Sequence, residues 1–140
     1  MNVEQLALYA DVPLRVMVGI VMLVHGYPKL LTAKGFKGHV QTVKGIGFRP
    51  AVVFAACSAV AEFVGGAAIL LGGFTRIAAL LILINMLVAA YAKKFAWGSS
   101  FNIMQGGYEY DLVLAAAALT LALSGAGAYS LDALYALPFA

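Results

Sequence analysis

The sequence predicts an all-α fold: a polytopic membrane protein built as a four-transmembrane-helix bundle, with a short interfacial segment between spans one and two. Three observations lead there. First, 64% of the 140 residues are hydrophobic, 11% are charged and the mean hydropathy is +0.95, whereas soluble domains carry about a quarter of their residues as charges. Second, the apolar residues fall into four runs, at about 12–31, 51–73, 76–95 and 109–128. Each run is long enough to cross a hydrocarbon core of roughly 30 Å at about 1.5 Å per residue. Third, the charges lie almost entirely between the runs.

Span one begins RVMVGIVMLVHGYPKLL at Arg15. The residues before it, MNVEQLALYAD, are acidic where a cleavable signal would be basic, so the span is expected to stay in the mature protein. The segment Thr32 to Pro50 is glycine-punctuated and basic, with Lys34, Lys37, Lys44 and Arg49. It reads as a short interfacial helix held at anionic headgroups. The turn GGFTR joins spans two and three with almost no slack, and span three (Ile77 to Ala92) holds one amide, Asn85, and no charge. Span four contains the uncharged run LVLAAAALTLALSGAGA from Leu112. No internal repeat divides the chain, and residues 1–140 form one domain.

Counting Lys and Arg by side gives an orientation. The first and third loops with their flanks hold Lys29, Lys34, Lys37, Lys44, Arg49, Lys93 and Lys94, while the opposite side holds Arg15 and Arg76. Basic loops stay in the cytoplasm, so both termini are expected outside a prokaryotic cytoplasmic membrane.

Several chemistries are excluded. A lone cysteine, Cys57, rules out an internal disulfide, a CxxC pair and a cysteine-held cluster. Neither HExxH, P-loop, nucleophile elbow nor EF-hand pattern occurs. His39 lies in a glycine-flanked loop away from His25, which argues against a bis-histidine haem. No metal, haem or nucleic acid is expected.

The informative residues are charges at membrane depth. A glutamate inside a span is costly and is usually turned inward and paired. At about 100° per residue, Ala55, Ser58, Ala59, Gly66, Ile69 and Gly73 share the face of Glu62, and Val53, Cys57, Val60, Val64 and Leu71 lie opposite. Glu62 therefore sits on a small-residue face suited to close helix contact. If spans one and two begin and end level, Glu62 lies midway between Arg15 and His25, about 7 Å from each. Lys29 then shares the level of Glu109, giving Lys29 to Glu109 or His25 to Glu109 as pairs. His25 and Lys29, four residues apart, share one helix face, and Pro28 is expected to kink or end the helix there. Tyr27, Tyr91, Phe95, Trp97, Phe101, Tyr108 and Tyr110 gather at the same end as an aromatic belt. Convergent titratable groups, aromatic walls and access from lipid together describe what a quinone headgroup needs.

The stretches RVMVGIVMLVHGYPKL, AEFVGGAAILLGGFTRIAALLILINML and GGYEYDLVLAAAALTLALSGAGAYSLD together resemble the DoxX family of small four-helix membrane proteins, from Arg15 to Asp132. The shared features are a basic residue opening span one, HG-x-x-K at its end, AE-x-x-GG-x-x-LL-G in span two, the TR turn, a glutamate opening span four, and G-x-G-x-x-SLD. The resemblance implies a membrane subunit of an oxidoreductase, as in the DoxD-type subunit of an archaeal thiosulfate:quinone oxidoreductase, or a membrane partner for soluble oxidoreductases. Eukaryotic relatives look like assembly factors. Carried over position by position, it implies Arg15, His25, Lys29, Glu62, Arg76 and Glu109 as cofactor-binding residues.

Two functions follow as expectations. In one, the chain is a quinone-interacting subunit in which His25 and Glu62 are catalytic, hydrogen-bonding the ring and exchanging its protons, with Arg15 or Lys29 tuning them. In the other, it is a non-catalytic scaffold or assembly partner whose buried ion pairs are structural. Partners expected are the bilayer, an oxidoreductase subunit and further copies of the chain.

Overall fold

The structure is a computed structural model and describes residues 9–137. Among the described residues six α-helices follow in order: α1 (Asp11–Leu31), α2 (Ala33–Gly45), α3 (Ala51–Leu71), α4 (Thr75–Tyr91), α5 (Glu109–Ser124) and α6 (Leu131–Tyr135). A π-helical turn, Ala92–Ala96, prolongs α4, and one 3-10 turn, Ile103–Gln105, lies in the loop before α5. Among the described residues there is no strand.

Three helices are long and apolar enough to cross a membrane: Asp11–Leu31, Ala51–Leu71 and Thr75–Ala96. The protein is thus an integral membrane protein. The fourth expected span is shorter than its apolar run suggests. Gly125 turns the chain at φ 86°, so α5 stops after 16 residues, or about 24 Å. The segment between the first two of these helices, expected to lie at the interface, is helical and forms α2.

Pairing is by neighbours: α1 lies along α3, α4 along α5, and α3 joins the two pairs. The α1–α3 seam is set by glycines. A Cβ on Gly26 would stand 2.5 Å from Phe63 N, one on Gly19 2.7 Å from Leu70 Cβ, and one on Gly66 2.8 Å from Met22 Cβ. With nothing but hydrogen at these positions the two backbones touch, the arrangement small residues permit in lipid. Ala55, Ala59, Glu62, Gly65, Gly66 and Ile69 of α3 are buried, and Val53, Cys57, Val60, Val64 and Leu71 are exposed. The face drawn from helical periodicity is the one the fold uses.

Helix α1 runs through Pro28 to Leu31 rather than ending at the proline. Thr32 then works in both directions: its hydroxyl donates to Pro28 O (2.8 Å) and accepts from Gly35 N (3.0 Å), capping α2. The chain folds back at once, and α2 packs across α1 and α3.

At the other end, α3 closes on Gly72, whose φ of 68° suits glycine. Asp132 supplies the cap that α4 lacks locally: its carboxylate accepts from Phe74 N and, at 2.9 Å, from Thr75 N. The guanidinium of Arg15 donates to Ala126 O and to Tyr129 O (2.6 Å). That of Arg76 donates to Ala122 O (3.0 Å) and Leu123 O (2.7 Å), the last carbonyls of α5. In lipid such carbonyls have no water to turn to.

Candidate functional site

Glu62 is the buried centre of the opposite end, 3% exposed. Lys29 Nζ donates to both of its oxygens, at 2.7 and 2.6 Å, and Asn85 Nδ2 donates to Oε1 at 2.9 Å. The three residues come from α1, α3 and α4, so one carboxylate ties three helices together. Lys29 keeps 29% of its side chain exposed, toward a cavity.

This pairing differs from the expected one, and the glycine seam explains why. Gly26 opposite Phe63 places Glu62 between the levels of His25 and Lys29. Gly72 in turn sits against Arg15, which leaves Arg15 about 18 Å from Glu62 along the membrane normal. Helix ends do not lie level, because α2 takes up chain between them. Glu109 does not meet Lys29 or His25; its Oε1 accepts from Ile103 N at 2.7 Å, holding the loop before α5.

The cavity measures about 550 Å³ and is walled mainly by apolar side chains of α1 to α5. Lys29, Glu62 and Asn85 form one polar pole. A second ion pair, Lys93 Nζ to Asp111 Oδ2 at 2.6 Å, lines it too. His25 reaches it with its ring 6.3 Å from that of Tyr110. Phe54, Cys57, Leu81, Ile84 and Val88, on α3 and α4, line the cavity and are also exposed, as are His25 of α1, Thr42 of α2 and Trp97 beyond α4. The cavity is thus open on the lipid-facing surface between α3 and α4 and also beside these three residues.

His39 lines this cavity as well, with Nε2 buried and lacking a hydrogen-bond partner. Burial holds its pKa below the usual histidine value, the Lys29 ammonium acts the same way, and Glu62 opposes them. The expectation that His39 sits in a loop fails because Phe36, His39 and Val43 repeat at helical spacing. They form the inward side of an amphipathic helix, of which Val43 is buried. Sequence reasoning also passed over Lys93, Asp111 and Asn85. A carboxylate two residues after Glu109, one turn short of the buried Leu114 and Ala115, was the available signal for Asp111.

A sequence model of the DoxX family matches residues 10–94. The chain belongs to the DoxX family. Two relatives extend the similarity along this DoxX protein. "Inner membrane protein YphA" of Escherichia coli (strain K12) is 31% identical over 121 residues, covering 84% of each chain. "Putative oxidoreductase CatD" of Bacillus subtilis (strain 168) is 30% identical over 119 residues, covering 85% of this chain and 81% of its own. No solved structure matches.

Of the family-pattern positions in this DoxX protein, the fold brings His25, Lys29 and Glu62 to the cavity. It sends Arg15 and Arg76 to backbone carbonyls at the other end and Glu109 to a loop amide. The aromatic belt divides likewise: Tyr110 and the exposed Trp97 line the cavity, Tyr27, Tyr91, Phe95 and Phe101 are exposed without lining it, and Tyr108 is half-buried outside it.

Proposed function

We propose that this DoxX protein is a membrane subunit of, or membrane partner for, an oxidoreductase, and that its cavity takes a neutral, lipid-borne quinone headgroup. The observation that carries this reading is a lipid-open cavity whose charges cancel. Each lysine in it, Lys29 and Lys93, faces its own carboxylate, Glu62 and Asp111. An anion entering such a site would be desolvated with no spare positive charge to receive it. A neutral ring with carbonyl oxygens loses little hydration and meets N–H donors. Apolar walls suit the ring, and a mouth on the lipid face suits an isoprenoid tail. The name of the Bacillus subtilis relative supports an oxidoreductase link.

The residues present fit such a headgroup. Lys29 donates to both oxygens of Glu62 and retains a third N–H to offer an oxygen. Asn85 fixes the carboxylate so that the ammonium stays aimed. His25, on the same face of α1, stands one turn away as a second proton-holding group. When bound, a quinone would carry electrons and protons together; the chain would orient the ring and exclude water.

Trp97 is the single tryptophan and lines the cavity, which makes it a reporter. Decylubiquinone added to the protein in nanodiscs is expected to quench Trp97 fluorescence saturably, and Lys29→Met is expected to weaken that binding. Quenching that rises linearly without saturation, equally in both proteins, would leave the scaffold reading, in which the ion pairs serve only to hold the helices.

The same reading takes α5 as a fourth span in a cytoplasmic membrane, with the basic loops inside. Tags at the two ends of the chain are then expected on the same, outer, side of the membrane, and tags on opposite sides would refute a four-span topology.

A further inference from the structure

We propose that His39 is a ligand-binding residue of this cavity: carried on α2, which packs across α1 and α3, its Nε2 bonds the same headgroup oxygen that Lys29 anchors. The inference rests on the quinone reading for its ligand and adds a wall and a residue to the site.

Three observations converge. Nε2 is buried and has no hydrogen-bond partner among the described residues. A buried donor or acceptor in that state pays its desolvation with no return, so such groups are rare unless something outside the chain completes them. The atom belongs to a cavity-lining side chain beside Lys29 and Glu62, close enough for both charges to act on the imidazole. The missing partner therefore belongs in the space that the Lys29 ammonium also faces.

The position of α2 is not incidental. Gly35 lies so close to Pro28 O that any side chain there would collide with the carbonyl. Thr32 locks the reversal by bonding to both helices. With the start of α2 fixed, His39 falls one turn further on, between Phe36 and Val43 on the inward face. Thr42, Val43, Ile46 and Phe48 continue this wall around the cavity. The headgroup would thus be gripped from a transmembrane helix on one side and from an interfacial helix on the other.

The chemistry sets the ligand's demand. Lys29 donates, and a neutral imidazole with Nε2–H donates as well, so together they fit one oxygen with two lone pairs, the carbonyl of a quinone ring. They do not select for an apolar molecule of the same shape, which gives the test its control.

The experiment is the Trp97 fluorescence titration of the full chain in nanodiscs, with decylubiquinone and with decylbenzene, which lacks ring oxygens. His39→Leu keeps the bulk without the nitrogen, and His39→Gln restores an amide near the position of Nε2. His39→Leu is expected to weaken decylubiquinone about tenfold, the scale of one hydrogen bond to a buried group, and to leave decylbenzene unchanged. His39→Gln is expected to recover most of the loss. Decylubiquinone binding to His39→Leu as tight as to wild type, while Lys29→Met loses it, overturns the role of His39 and leaves the quinone reading standing. Equal weakening of both probes also overturns it, since His39 would then act by shape alone. Absence of saturable binding by the wild-type protein overturns both readings together.

Discussion

Lys29→Met, Glu62→Leu and the double variant form a cycle whose outcome follows from the geometry. Glu62 is 3% exposed and accepts three hydrogen bonds, two of them from Lys29 at 2.7 and 2.6 Å and one from Asn85. Lys29→Met removes two of the three and the countercharge, stranding a carboxylate where little water reaches. Breaking a buried pair from one side costs about 3–5 kcal/mol. Asn85 stays in place, so the lower end, about 3 kcal/mol, is expected. Glu62→Leu strands the ammonium instead, but Lys29 is 29% exposed and can wet itself at the cavity. About 2 kcal/mol is expected, including the orphaned Asn85 amide. Removing both charges trades the pair for apolar contacts and is expected to cost about 1 kcal/mol, since such replacements are often near neutral. The two single costs summed should therefore overshoot the double by about 4 kcal/mol. The assay is unfolding in mixed micelles of rising SDS fraction, followed by far-ultraviolet circular dichroism. Singles that add to within about 0.5 kcal/mol of the double would refute the coupling, and with it the claim that Glu62 joins α1 to α3.

Three further outcomes are expected. Gly26→Ala puts a methyl group 2.5 Å from Phe63 N, and because backbone cannot step aside as a side chain can, a loss of about 3 kcal/mol in the same unfolding assay is expected. Asp132→Ala removes the acceptors for Phe74 N and Thr75 N and is expected to cost about 1–2 kcal/mol, the range of a lost helix cap; no change in midpoint would show that the C-terminal segment does not brace α4. The lowered pKa of His39 means that, as pH falls below about 6.5, the unfolded chain takes up a proton that the folded chain refuses. Stability is then full above that value and declines below it. His39→Gln is expected to flatten that part of the stability–pH curve, and an unchanged slope would contradict it.

Much of the fold was legible because helical faces are a local property. The burial of Ala55, Ala59, Gly66 and Ile69 and the exposure of Val53, Cys57, Val60, Val64 and Leu71 follow from 100° steps around one helix. Axial register is not local. It depends on which glycine meets which backbone, and a single-sequence argument that sets the helix ends level misplaces Glu62 by several residues. Arg15 was then drawn to the wrong partner for a physical reason: charge matching on paper prefers a carboxylate. In lipid, the unpaired carbonyls that follow a helix are as pressing a demand on a guanidinium. Hydropathy overstates the length of α5 because it continues past Gly125 while the helix does not. His39 was hidden by the glycines around it, which suggest a loop, although the spacing of Phe36 and Val43 carried the helix.

The two ends of the bundle solve the same electrostatic problem in opposite ways, and the difference separates structure from function. At the end of Arg15, Arg76 and Asp132, the described partners are backbone amides and carbonyls of turns and helix termini. Such bonds can be exchanged for nothing else without unravelling a helix end, so these charges are committed to the fold. At the end of Lys29, Glu62, Lys93 and Asp111, side chain faces side chain across an open volume, and His39 Nε2 is left unsatisfied beside it. Side-chain pairs can loosen and re-form around a guest, and an orphaned nitrogen gains by it. The cavity that the chain keeps, with its charges cancelled and part of its wall on the lipid-facing side of α3 and α4, is the observation on which the proposed site for a neutral, membrane-soluble molecule rests.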